Sequence, residues 1–200
     1  MRRREEGESL KTIPQHIDYE LPSEAAVCLH EAGHATAALM VGVAPALIEL
    51  VDDPGSRGPA RSRIPIETQA QRETIACAAF AVEYRLFREN RLVDSQGAPL
   101  QERAFVQIAL GSNAAADKVS FFGANYEQPN LRLPKPYDQE FMRRGIALAP
   151  NLNMPLVMEL AEALLNERRM HCVRIIEIGA KHLPGMTSAW KCPNDGQNNP

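Results

Sequence analysis

Two hundred residues, 44% apolar and 24% charged, have the balance of one soluble globular domain and suffice to bury a core. A formal charge of −3 offers no clustered positive surface, which excludes nucleic acid and anionic membranes as expected partners; even Arg2-Arg3-Arg4 is followed at once by Glu5 and Glu6. The four cysteines (Cys28, Cys77, Cys172, Cys192) are sparse and form no CxxC pair, so no disulfide scaffold is expected, and a reduced, cytoplasmic setting is.

In chain order, residues 1–20 are polar and read as a flexible segment, without the apolar run that a secretory signal needs. A helix is predicted to start after Ser23, a good N-cap, with Glu24 at its positive end, and to stop near Gly42. The apolar run 37–48 is too short to cross a membrane. Leu47-Ile48-Glu49-Leu50-Val51 suits a short strand. The turn-rich stretch 53–65 is expected as loop; its Arg57, Arg61 and Arg63 form either a solvated surface or a lid that guides substrate. A second helix covers about 68–90, with Ile75, Ala79, Val82 and Leu86 in one stripe. A third over 99–110 is broken by Gly111-Ser112-Asn113, and a short helix resumes over 114–122. Pro129, Pro134 and Pro136 mark 123–138 as loop. Asn153 caps the next helix, with Pro155 in its first turn, and a short helix over 172–181 packs against it. Residues 184–200 read as a flexible tail. The expected fold is one mainly α domain over 21–183, with a short β-strand or small β-ribbon beside the first helix.

The chemistry concentrates in His30-Glu31-Ala32-Gly33-His34. Residues four apart on a helix share a face, so both imidazoles reach one ion. Glu31 lies about 100° round from His30, poorly placed as a ligand and well placed beside a metal-bound water. Neutral imidazoles bind Zn2+ without cancelling its charge, which acidifies that water, and a nearby carboxylate takes its proton as it attacks a carbonyl. The flanking residues are apolar nearly all round, as on a buried helix, where two histidines and a glutamate need partners. Gly33 sacrifices about 1 kcal/mol of helix propensity and implies a close approach by another element.

His-Glu-Ala-Gly-His-Ala, followed by Ala37-Ala38-Leu39, resembles the zinc helix of FtsH-type metallopeptidases. The run 76–87, in which small residues precede Glu83, is similar to that family's second helix, and 160–165 to its closing helix. Gly111-Ser112-Asn113-Ala-Ala-Ala-Asp117 sits where the family supplies an aspartate as third ligand. The resemblance implies a helical zinc-peptidase domain, with Asp117 as third ligand and Leu47–Val51 as a strand able to pair with an extended peptide. Its implied activity is zinc-dependent endopeptidase cleavage of flexible or unfolded polypeptide, with Glu31 catalytic. The sequence has no GxxxxGK[ST] loop, so a separate unfoldase or adaptor is a possible partner, and the oligomeric state stays open.

Alternatives remain at the third position. Glu83 is a second ligand candidate, or a hydrogen-bond partner of a ligating histidine, or a surface residue paired with Arg85 or Arg88; Asn113 is a third candidate. His171 beside Cys172 reads as an ordinary helix-terminal pair, and His16 and His182 lack supporting spacing. A second functional reading is a non-catalytic regulatory or interaction module that keeps the fold. Glu31 argues against it, because a purely structural site has no use for a base beside two histidines.

Overall fold

The computed structural model describes residues 10–20, 23–52, 59–123 and 136–193. Arg57, Pro129 and Pro134, and the extreme ends of the chain, lie outside the described residues. Eight α-helices and five short strands form a mainly helical fold among the described residues. None of those helices is long and apolar enough to cross a membrane.

The central element is α1 (Glu24–Met40), capped by Ser23, whose side chain accepts from the Ala26 amide. Gly42 follows it in the left-handed region, at φ 80°, where glycine is unstrained. Buried residues occur on every side of α1, which packs chiefly against α3 (Ala78–Arg88) and α7 (Met154–Glu167). A Cβ at Gly33 would lie 3.1 Å from Ala79 Cα and 3.2 Å from the Ala78 carbonyl oxygen. The glycine is therefore what lets α1 and α3 touch backbone to backbone.

The expected strand is present as β2 (Leu47–Leu50), but it is the centre of a three-stranded antiparallel sheet. Its neighbours are β3 (Ala60–Arg63) and β5 (Arg169–His171), with Ile48 opposite Ser62 and Met170. Both edges of β2 are occupied, so it cannot be the strand that pairs with a substrate peptide. The stretch expected as loop over 53–65 contains β3, in which Ala60 and Ser62 turn inward while Arg61 and Arg63 are exposed.

The long second helix is two helices, α2 (Gln69–Ala76) and α3, separated at Cys77. After β4 (Leu92–Val93), α4 (Glu102–Ile108) runs into a π-helical turn, Ala109–Asn113, and then α5 (Ala115–Phe122). Pro136 opens α6 (Pro136–Leu148) instead of ending a loop; proline suits the first turn because its missing N–H has no helical partner there. Helix α8 (Cys172–His182) follows β5 directly.

Parts of both stretches expected as flexible pack into the fold. Ile17 and Asp18 form β1, paired in parallel with β4, and Ile13, Ile17 and Tyr19 are buried. At the other end, Trp190 is buried and its Nε1 donates to the Leu39 carbonyl at 2.9 Å. Cys172 and Cys192 form a disulfide, Cα–Cα 5.6 Å, against the expectation of reduced thiols; such bonds belong to oxidising compartments more than to a reducing cytoplasm. Cys28 and Cys77 are free, buried, and pushed up to about 12 chiefly by that burial.

Candidate metal centre

Helix α1 sets His30 and His34 one turn apart, with their Nε2 atoms 3.3 Å from each other. Each ring is held from behind. His30 Nδ1 donates to Glu83 Oε1 at 3.1 Å, and His34 Nδ1 donates to the Ile75 carbonyl oxygen at 2.7 Å. With the hydrogen fixed on Nδ1, each neutral ring turns the lone pair of Nε2 toward the other. Ile75 sits in the last turn of α2, just before the break at Cys77.

Asp117, from the first turn of α5, completes the convergence. Its Oδ1 lies 3.2 Å from His34 Nε2 and its Oδ2 lies 3.4 Å from His30 Nε2. One ligand atom from each of His30, His34 and Asp117 lies within 4.8 Å of the others. Asp117 Oδ2 is one of two buried side-chain oxygens without a hydrogen-bond partner among the described residues. Three lone-pair groups pointed at one another need a positive charge between them. A divalent ion fits that need, and two imidazoles with a carboxylate are a donor set that suits zinc.

Without the ion, protons do the same work. Burial pushes both imidazoles down, but the Asp117 carboxylate, joined by Glu83 at His30 and by Glu31 at His34, raises His30 well above its ordinary value and His34 above its own. Burial likewise pushes Asp117 up, and the two imidazoles overcome it, holding its carboxyl far below the usual carboxylate range.

No family model matches this chain, and no curated protein or solved structure matches it. The reading of the site therefore rests on its own geometry and on the sequence pattern.

Glu31 is half-buried on α1 and accepts a hydrogen bond from Ser62 Oγ, the polar residue on the otherwise apolar inner face of the sheet. It lies close enough to His34 to favour that ring's protonated form. Glu83 is not among the converging ligand atoms; it stands behind His30, buried on α3. Its other partners are the Tyr19 hydroxyl, which donates to Oε2 at 2.5 Å, and Asn113 Nδ2, which donates to Oε1 at 3.0 Å. Asn113 Nδ2 also reaches the Tyr19 oxygen at 3.0 Å, so this residue supports Glu83 and is not a ligand.

Lys118, next to Asp117 in sequence, has partners of its own. It is fully buried, donating to the Leu110 carbonyl at 2.5 Å and to Asp138 Oδ1 at 2.7 Å. This pair ties α5 to the π-helical turn and to α6, and so fixes the stretch that presents Asp117. The remaining histidines lie apart from the cluster: His16 and His171 are exposed, and His182 Nε2 pairs with Glu159 Oε2 at 2.7 Å.

Tyr19, Ser62, the Ile75 carbonyl and the Lys118–Asp138 pair are absent from the sequence reading. Only Tyr19 had a signal. Ile17 and Tyr19 alternate with Asp18, which is the period of a half-buried strand.

Proposed function

We propose that this chain is a zinc-dependent endopeptidase of FtsH-like type that hydrolyses flexible or unfolded polypeptide. The observation that carries the reading is the convergence of His30 Nε2, His34 Nε2 and the Asp117 carboxylate beside Glu31, a carboxylate on the same helix that is not itself one of the three. Zinc held by His30, His34 and Asp117 would supply Lewis acidity toward a peptide carbonyl and toward water.

The protein's own groups do the rest. Glu83 and the Ile75 carbonyl keep the rings turned so that both Nε2 atoms face the ligand position. Glu31 takes the proton of the attacking water on its carboxylate and delivers it to the leaving nitrogen as the C–N bond breaks. The Ser62 hydroxyl steadies that carboxylate from β3. Since β2 is paired on both sides, an extended peptide would pair with an edge strand, and of the two edges β3 is the one packed on α1 and carrying Ser62 beside Glu31. An extended substrate suits flexible chains, and folded proteins would need a separate unfoldase or adaptor.

Glu31→Gln tests the assignment. The variant keeps one zinc per chain and loses about 100-fold or more of its cleavage of an unfolded, labelled polypeptide, the range expected for a general base. Equal rates for variant and parent would remove Glu31 from the mechanism. A parent protein that binds zinc and cleaves no polypeptide would move the assignment to the regulatory or interaction module.

A further inference from the structure

The N-terminal stretch earns its place through one buried hydroxyl. Tyr19 is 5% exposed, and its ring stacks on Phe105 with centroids 6.0 Å apart. Its oxygen sits between Glu83 Oε2 and Asn113 Nδ2. Burial first, and then the Glu83 charge, hold the phenol well above its usual value, so it remains the donor in this contact.

Glu83 is 5% exposed, and its ion-pair partner among the described residues is His30, with no lysine or arginine. Its carboxylate is held by three donors: the Tyr19 hydroxyl, the Asn113 amide and His30 Nδ1. Oε1 takes two of them, and Oε2 takes the Tyr19 hydroxyl. Without that hydroxyl, Oε2 becomes a buried acceptor with no donor, and the carboxylate loses the contact that sets its rotation toward His30.

We infer that Tyr19 is a positioning residue of the metal centre, and that docking of the N-terminal strand and loading of the metal are thermodynamically coupled through Tyr19, Glu83 and His30. The strand supplies a hydrogen bond that holds the carboxylate which holds a ligand. Coupling of this kind is reciprocal: a strand that favours metal binding is itself held down when metal binds. The strand is anchored by two backbone bonds that report the effect, Ile17 N–H to the Arg91 carbonyl and Tyr19 N–H to the Val93 carbonyl. The inference rests on the metal-centre reading and is independent of peptidase activity.

The experiment uses the full chain and the Tyr19→Phe variant, which keeps the ring against Phe105 and removes only the oxygen. Zinc affinity is measured by competition with a chromophoric chelator, and the ligand field by the visible absorption of the Co2+-loaded protein. The expected result is a loss of about 10–100-fold in affinity, the range for removing an outer hydrogen-bond partner, with an altered Co2+ spectrum. An affinity within twofold of the parent, with an identical Co2+ spectrum, overturns the inference while leaving the metal centre standing. If Tyr19→Phe fails to fold, amide exchange of the parent decides. Zinc should slow exchange at Ile17 and Tyr19, and equal exchange with and without zinc overturns the coupling. A parent protein that takes up no zinc or Co2+ overturns the metal-centre reading itself, and the inference with it.

Discussion

Asp117, Glu83 and Asn113 do three different jobs within one site, and substitution separates them by magnitude. Asp117 Oδ2 has no hydrogen-bond partner among the described residues and faces His30 Nε2, so on the metal-centre reading Asp117→Ala removes a ligand. Glu83→Gln keeps an oxygen for His30 and Asn113 but turns an amide N–H₂ toward Tyr19, which loses the acceptor for its hydroxyl. The expected order in zinc dissociation constants is a rise of about 10–100-fold for Glu83→Gln, and a larger one for Asp117→Ala, because losing an outer partner costs less than losing a ligand. The reverse order would make Glu83 the ligand. The helical pair and Glu31 were legible in the sequence because one turn of helix is a local geometry. Asp117 was reached through the resemblance alone. Tyr19 meets Glu83 across 64 residues, and His34 meets the Ile75 carbonyl across 41, so no local pattern could announce those contacts.

Between elements, the contact of α1 with α3 is the one on which the site depends, since it sets the distance from His30 to Glu83. Gly33→Ala tests it. Alanine gains about 1 kcal/mol of helix propensity, while a methyl group forced into a packed interface costs about 1–3 kcal/mol. The atoms it meets include backbone of Ala78 and Ala79, which cannot rotate aside, so the cost should prevail. A net loss of about 1 kcal/mol, read as a fall of roughly 2–4 °C in Tm, is expected together with weaker zinc binding. A variant as stable as the parent with unchanged zinc affinity would show that the two helices can part without consequence. Elements with explicit end signals were legible: Ser23 caps α1 and Asn153 caps α7 as their side chains predict. Others were hidden for physical reasons. The break at Cys77 lies in an apolar run in which period says nothing about continuity. Pro136 looks like a breaker in the sequence although it begins α6, and the polar Arg-Ser-Arg of β3 conceals a strand with an inward-facing serine.

Across the whole molecule, both ends of the described chain close on the helix that carries the histidines, Tyr19 through Glu83 and Trp190 directly on Leu39. What the ligand cluster contributes to this assembly depends on pH, and the sign differs between its two states. In the metal-free protein, His30 and His34 are raised by Asp117 against their burial. Their contribution is full below the unfolded value of 6.5 and is lost as pH climbs through the folded values. Asp117 is depressed by the two imidazoles, so its contribution is present above the unfolded value of 3.8 and is lost as pH falls through the folded one. The metal-free cluster therefore stabilises most between 3.8 and 6.5. Zinc held by this triad would require neutral imidazoles and compete with those protons, so on the proposed reading its binding strengthens with rising pH and releases protons. The difference in Tm between zinc-loaded and chelator-treated protein should accordingly be larger at pH ~8 than at pH ~5.5. Calorimetry in two buffers of unequal ionisation enthalpy should show net proton release at the lower pH. A zinc effect that is equal at both pH values, or larger in acid, would mean that the ion does not displace protons from His30 and His34 and must bind elsewhere.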